Sequence, residues 1–450
     1  MINSFVRRFY SGPTPTDNSF WAIPGGPGDS TTSFTGFAQV VTSRDPTITF
    51  YLVDPRGTGG SSFLSCDNQP GTNWNPYNKT SMQPWISCMQ QIMDKYSNVL
   101  GYYSNYHAAL DIISVVNAVN PAKVAIYGLS CGTYLTNQYL LLGGRVDVLV
   151  LDGPVAPTRW AMENGAKWSG KVLQDVLNTC SQQSPTCQVY NDVMAHAPDM
   201  LMDSIIDGTL PCLQKLPWLN QFVMANINMN LLQGGLLGIA ALSPFWYRLW
   251  HCSDSDVEQL THYYQTQYHT EGAPPTPADY STGVALNIAA SELYSFAPRG
   301  KELDYDSQIE LMSRMTVSGS AQYFISYAIS EMKWPQYTVK PQLYLTYAKP
   351  TVPVIILVGT FDSNTPYGMS QVFANGLREN NPQANVNIGT VPYSLHGTLE
   401  ATAYCVQSII VPFMSAFGSQ PANFSCLPRY ACIYARMYIC LFILYIYMHT

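Results

Sequence analysis

Gly128-Leu129-Ser130-Cys131-Gly132 sets a serine and a cysteine side by side between two glycines and fits the pattern G-x-S-x-G. The apolar run KVAIY leads into it and a helical pattern leads out from Thr133, so the pentapeptide falls between a strand and a helix. On such a turn the serine is strained and exposed. The residues two before and two after it must carry no side chain that would collide, and glycine meets that need at both places. The helix that follows directs its N-terminal amides at negative charge developing during reaction. This is the equipment for nucleophilic acyl transfer by Ser130. Cys131 reads as a donor through its backbone amide, with its side chain turned away from the apex of the turn.

A serine hydroxyl is a weak nucleophile at neutral pH unless a base takes its proton and an acid orients that base. In a doubly wound sheet these partners come from loops at the carboxyl ends of later strands. VPVIILVG runs into Thr360-Phe361-Asp362, and NVNIGTV into Ser394-Leu395-His396-Gly397. Asp362 is therefore the expected acid and His396 the expected base. Asp152 also ends a strand and is the rival acid, but Asp362 immediately precedes the strand and loop that carry the base. The other six histidines lie in the helix before the turn, in a helical insertion or in the tail, and His107 reads as a helix-surface or capping residue. A tetrahedral oxyanion needs two donors. One is the Cys131 amide. The other is expected from Pro24-Gly25-Gly26-Pro27-Gly28, with Gly26 first and Gly25 next. No Cys or His spacing of a zinc site is present, and this chemistry requires no metal or organic cofactor.

Short apolar runs alternating with longer helical patterns position these residues and predict βαβ units with a parallel sheet. NSFWAI and ITFYLVD read as strands, YHAALDIISVVNAV as a helix closed by Pro121, and VDVLVLD as a strand ending at Asp152-Gly153-Pro154. The rhythm then breaks. Residues 156–335 carry helical patterns with many Met and Trp and no clear strand, and read as a helical cap inserted into the sheet domain and lining a pocket. Within it, MNLLQGGLLGIAALSPFWYRLW is strongly apolar, but its glycines and Pro244 break it below spanning length. Residues 1–155 and 336–427 are the two parts of the core. Residues 428–450 are an apolar tail, whose run from Met437 to Met448 is shorter than the ~20 residues a span needs. A buried helix or a mistranslated end of the gene model accounts for it, and membrane association would come through this tail alone.

Charged residues are only 11% of the chain while apolar residues are 47%, so the surface is covered largely by uncharged polar groups, as is common in secreted proteins. The net charge of −7 is spread without any basic block, which excludes a nucleic-acid partner. Among eleven cysteines, Cys66 and Cys88 flank a polar loop, Cys180 and Cys187 are close, and Cys212 and Cys252 bracket an apolar stretch. With sequons at Asn78 and Asn423, they favour an oxidising compartment. The N-terminal MINSFVRRFYSG has no signal-peptide pattern. The expectation is a secreted or endolysosomal glycoprotein whose signal peptide is missing from this chain.

The set GGPG, DPRGTGGSS, GLSCGTY, VLDGPV, GTFDSNTP and HGT resembles the serine peptidase branch of the α/β-hydrolases. It is similar to proline iminopeptidases and, more closely, to tripeptidyl-aminopeptidase-like proteins, over about Phe20 to Cys426. The resemblance implies an α/β-hydrolase fold: a mostly parallel sheet flanked by helices, with an inserted helical cap. It also implies Ser130 as nucleophile, Asp362 as acid, His396 as base and Gly25-Gly26 as the oxyanion loop, while Asp54 and Arg56 shape the floor of the site. Pro24 stands where many members have His, and Cys131 where an aromatic is frequent. The first strands of the fold, expected ahead of FWAI, have little or no room.

The implied activity is that of a serine exopeptidase acting near the free N-terminus of peptides. Such an enzyme must recognise an ammonium group, and Glu163, Asp254, Asp256, Glu258 and Glu292 are candidate carboxylates in the cap. A carboxylesterase or lipase would use the same three residues, and a Met- and Trp-rich cap suits acyl chains too. A non-catalytic binding protein has no use for all three.

Overall fold

Runs of consecutive apolar residues are what a parallel sheet covered on both faces requires. The computed structural model describes residues 2–67, 69–70, 79–157, 162–183, 198–268, 278–293, 304–340, 342–343, 345–401 and 403–428. Seven strands form one sheet in the order β1-β3-β2-β4-β5-β6-β7. They are β1 (Val6–Phe9), β2 (Asn18–Ile23), β3 (Ile48–Val53), β4 (Lys123–Leu129), β5 (Val148–Asp152), β6 (Val354–Gly359) and β7 (Val386–Val391). β1 is antiparallel to β3, and every other pair is parallel. β1 corrects the expectation that strands ahead of FWAI have little or no room, because a four-residue edge strand needs only roughly 13 Å of chain.

The helices of the first half are α1 (Thr35–Arg44), α2 (Lys79–Tyr96), α3 (Asn105–Val119) and α4 (Cys131–Leu141). α3 ends as its sequence predicts, with Asn120 in the left-handed conformation just before Pro121. Between β5 and β6 every regular element among the described residues is helical. These are α5 (Met162–Gln183), α6 (Pro198–Ile206), α7 (Gln221–Gln233), α8 (Gly235–His251), α9 (Asp254–Tyr263), α10 (Thr282–Ile288), α11 (Tyr305–Ser313) and α12 (Ser320–Ser330), with short 3-10 and π turns. After β6 come α13 (Tyr367–Asn380), α14 (Thr398–Ala401) and α15 (Ala403–Ser415).

Alternating strand residues face opposite layers. Phe20, Phe50, Leu52, Tyr127 and Val150 meet Phe37 and Val41 of α1 and Ile409 and Phe413 of α15. Trp21, Tyr51, Ile126 and Leu149 meet Ile112 of α3, Leu135 of α4 and Phe373 of α13. The inserted helices have their own core, in which Leu173, Met224, Ile227, Leu242 and Trp246 surround one another. A fourth cluster joins the two bodies: Cys131, Tyr134 and Val155 pack with Trp85, Leu286 and Phe324.

The break at Gly234-Gly235 separates α7 from α8, but Pro244 does not interrupt the second helix as its type suggested. α8 keeps its course at the cost of one backbone bond, its face buried against α7. Among the described residues no helix is long and apolar enough to cross a membrane. Disulfides join Cys66 to Cys88, Cys212 to Cys252 and Cys405 to Cys426. Cys187, Asn78 and the tail from residue 429 lie outside the described residues.

Strand order, the antiparallel edge strand and the sharp turn from the central strand into a helix are together those of the α/β-hydrolase fold.

Candidate active site

Ser130 is the hinge between β4 and α4. Its backbone sits at φ 53° and ψ −125°, a left-handed conformation that costs a side-chain-bearing residue on the order of 1–3 kcal/mol. The surroundings hold it there. The Ser130 amide donates to the Asp152 carbonyl at 2.8 Å, and its own carbonyl accepts from the Thr133 amide and hydroxyl at 2.9 and 2.6 Å. Gly132 lies so close to the end of β2 that a Cβ there would stand 2.4 Å from the Ile23 carbonyl oxygen. A Cβ on Gly128 would stand 2.7 Å from the Thr136 hydroxyl. The helix begins at Cys131, two residues before the position its periodicity suggested, because Gly132 is a close-packing glycine here and not a breaker.

His396 and Asp362 are in direct contact. His396 Nδ1 lies 2.9 Å from Asp362 Oδ2 and 3.1 Å from Oδ1. The carboxylate is fully buried and accepts amide bonds from Asn364 and Thr365 at 2.9 and 2.8 Å, together with the Thr365 hydroxyl at 2.8 Å. Burial drives the Asp362 pKa up, but the His396 charge and these hydrogen bonds outweigh it and hold the carboxyl below its ordinary value. For His396, burial pulls the other way, toward the neutral form. The Asp362 charge and hydrogen bond prevail, with smaller help from Asp152 and Asp29, so the imidazole is raised above its ordinary value.

The rival acid has a different task. Asp152 is fully buried and accepts from the Tyr127 hydroxyl at 2.7 Å, the Thr398 hydroxyl at 2.8 Å and the Thr398 and Leu399 amides at 3.2 Å. It anchors the start of α14, two residues beyond His396. Burial raises its pKa despite those bonds. His107 meets the Ser104 hydroxyl, the N-cap of α3, at 2.8 Å.

Ser130 and His396 line one cavity of about 720 Å³. Gly25, Gly26 and Cys131 line it too. Of the two glycines Gly25 lies closer to the serine, since a Cβ on it would stand 2.9 Å from Ser130 Cβ. The Cys131 side chain enters the buried cluster beneath the turn, and burial pushes its thiol far above the ordinary value, with the Glu292 and Asp29 charges adding to this. Asp54 and Arg56, expected to shape the floor of the site, are not among the residues that line the cavity, and both are tied down. Asp54 accepts from the Thr31 and Gly60 amides, and Arg56 makes a two-pronged pair with Asp111 at 2.8 and 2.6 Å.

Of the cap carboxylates singled out in the sequence, three are engaged elsewhere. Asp254 is exposed and pairs with Lys215, Asp256 caps α9 and pairs with Arg248, and Glu258 faces solvent. Glu292 accepts from the Asn105 amide, the Gln138 side chain and the Tyr337 hydroxyl. None of these four lines the cavity; the Glu163 side chain lies outside the described ones. Among the described residues, the acids that line it are Asp29 and Asp279.

Sequence reasoning missed these two and two more. Thr365 bridges the acid and the imidazole, with its hydroxyl 3.1 Å from His396 Nδ1. Its signal was present in the spacing Asp-x-x-Thr, which lets a carboxylate collect its own downstream amides and hydroxyl. Gly153 has φ +59°, and a Cβ on it would stand 2.5 Å from the Thr365 hydroxyl and 3.2 Å from Asp362 Oδ2. A side chain there would wedge the pair apart.

No family model and no curated protein matches the chain. Among solved structures, it is similar to a proline iminopeptidase from Mycobacterium smegmatis, with 13% identity and a TM-score of 0.42 over 93% of this chain and 96% of that one. It is also similar to an esterase from Exiguobacterium antarcticum, with 13% identity and a TM-score of 0.39 over 92% and 96% of the two chains. A proline iminopeptidase-related protein from Thermus thermophilus gives 12% identity and a TM-score of 0.37 over 93% and 92%. At these values the likenesses do not distinguish one reaction from another, and the fold assignment stands on strand order and the turn at Ser130.

Proposed function

We propose that this chain is a serine exopeptidase that hydrolyses peptide bonds near the free N-terminus of peptides through an acyl-enzyme on Ser130. The observation that carries it is the His396 imidazole clamped by Nδ1 on buried Asp362, in the same cavity as a serine held at a strained strand-to-helix turn. With Nδ1 committed to the carboxylate, Nε2 is the nitrogen assigned to the serine proton. Ser130 Oγ attacks the scissile carbonyl as His396 takes its proton, and Asp362 stabilises the imidazolium. Amides at Cys131 and in the Gly25-Gly26 loop receive the oxyanion, each such donor contributing about 3 kcal/mol to the barrier reduction. His396 then protonates the leaving amine, and water repeats the sequence to release the acyl group. The buried, protonated Cys131 thiol supports Ser130 as the attacking atom.

A carboxylesterase or lipase is the second reading. The apolar wall formed by Trp85, Val155, Leu286, Phe324 and Ile325 favours it, since an acyl chain would fit there as well as an apolar side chain. The three disulfides among the described residues support an oxidising compartment. A fluorophosphonate probe separates a hydrolase from a binding protein: the native chain is expected to label and S130A not to label. Equal labelling of the two would end the hydrolase reading. Faster turnover of free than of N-blocked peptide amides is expected of the exopeptidase, whereas turnover of short-chain esters alone would favour the second reading.

A further inference from the structure

Strand β5 ends on Asp152, a fully buried carboxylate that the acyl-transfer cycle does not use. A parallel strand can end on an apolar side chain, which packs without the cost of taking a charge out of water. Here the charge is kept, and four donors surround it. The Tyr127 hydroxyl reaches Oδ2 at 2.7 Å and the Thr398 hydroxyl at 2.8 Å. The Thr398 amide reaches Oδ1 at 3.2 Å, and the Leu399 amide reaches Oδ2 at 3.2 Å. An amide cannot accept, so with one on each oxygen the site is built for the ionised carboxylate.

These bonds lead to both reacting residues. The amides of Thr398 and Leu399 open α14 and have no partner within their own helix, so an anion suits them. His396 stands two residues earlier, and its loop is thereby tied to the end of β5. On the other side, the register pairs Leu129 with Asp152, and the Ser130 amide then donates to the Asp152 carbonyl oxygen at 2.8 Å. One residue thus bonds the backbone of the nucleophile and, through its carboxylate, the segment of the base. The next residue confirms the proximity: a Cβ on Gly153 would stand 3.2 Å from His396 Cε1.

We propose that Asp152 is a positioning residue that sets Ser130 and His396 against each other and keeps a second negative charge beside the imidazolium formed during reaction. The proposal rests on the serine-hydrolase reading above and holds for either substrate class. The charges that act on His396 come from three elements: Asp362 after β6, Asp152 at the end of β5 and Asp29 in the loop after β2. Asp362 has the largest effect of the three. Asp152 adds to it without touching the ring, so it works on the base while leaving Nδ1 to Asp362. Neither Asp152 nor Thr398 lines the cavity, so their loss should spare binding and slow the chemical step.

The test measures fluorophosphonate labelling as kinact and KI across pH on the full chain, in the native protein, S130A, D152N, T398V and T398S. The probe needs both the serine and its base, and it does not depend on knowing the natural substrate. D152N is expected to lower kinact by about 10- to 100-fold with KI near native. Its acid limb is expected at lower pH than in the native protein, because the imidazolium has lost a neighbouring charge. T398V, which keeps the charge and removes one tie, is expected to lose about 3- to 10-fold in kinact, and T398S to recover most of it. A folded D152N with native kinact, with its loss carried by KI, or with a slowed kinact but an unmoved acid limb overturns the proposal and leaves the hydrolase reading standing. If urea unfolding shows that D152N does not fold, the threonine pair decides: native kinact in T398V, or a loss that T398S does not recover, overturns the proposal. Equal labelling of the native protein and S130A overturns the hydrolase reading, and the role of Asp152 with it.

Discussion

His396 is the residue at which the site is most directly measurable. Its proton is held more tightly than in free imidazole, because the Asp362 charge and hydrogen bond outweigh the effect of burial. In the proposed mechanism the base works only when that proton is absent, so kcat/KM is expected to fall as pH drops through the raised value. On a neutral ester, which adds no titration of its own, the acid limb is expected above the ordinary imidazole pKa of about 6.5. A limb at or below that value would contradict the pairing. The stability linkage has the same origin: the extra stability of the charged pair is fully present below the unfolded imidazole pKa and is lost as pH rises through the folded one. Which acid meets His396 was a choice between two strand ends in the sequence. Chain order favoured Asp362, and the structure shows why Asp152 is not available: its oxygens are taken by Tyr127, Thr398 and Leu399.

At the scale of elements, the turn from β4 into α4 is held by close backbone packing. A methyl at Gly132 would meet the Ile23 and Pro24 carbonyl oxygens at 2.4 and 2.5 Å, and neither strand end can retreat without breaking the sheet. G132A is therefore expected to destabilise the fold by about 2–4 kcal/mol, more than a solvent-exposed Gly-to-Ala change in a helix would. Urea unfolding checks this, and a variant within 0.5 kcal/mol or so of the native protein would refute the packing argument. Strands were legible at this scale because a sheet buried on both faces demands unbroken apolar runs, as in Ile48–Val53. β1 was not legible: it is short, at an edge and half exposed, so its four residues carry no such signature.

At the scale of the molecule, the helical insertion has a core of its own and a disulfide, Cys212–Cys252, that closes a separation of 40 residues within it. Loop-closure entropy predicts that replacing both cysteines by alanine lowers stability by about 2–4 kcal/mol. A calorimetric scan is expected to show the loss in the transition that melts the insertion, and an unchanged scan would mean that the apolar core alone holds these helices. Asp279 belongs to this insertion by chain position and to the core loop by contact. Its bond to Ser30 spans 249 positions.

The amino-acid sequence by itself determined the parallel strands of the sheet, the turn that presents Ser130 and the small set of residues able to serve as base and acid. Those features are written in short-range terms, namely periodicity, glycines where backbones touch and charged residues at strand ends, and such terms act over a few neighbouring positions. Only the tertiary structure decided that Asp362 and not Asp152 touches His396, that Gly25 lies closer to Ser130 than Gly26 does by side-chain clearance, and that Asp29 and Asp279 face the cavity while the cap acids chosen by composition do not. The reason is physical: a side chain's partner at long separation is set by how whole elements stack, and burial, which decides both pairing and charge, is a property of that stacking and of no local run of residues. The motif at Ser130 names a reaction.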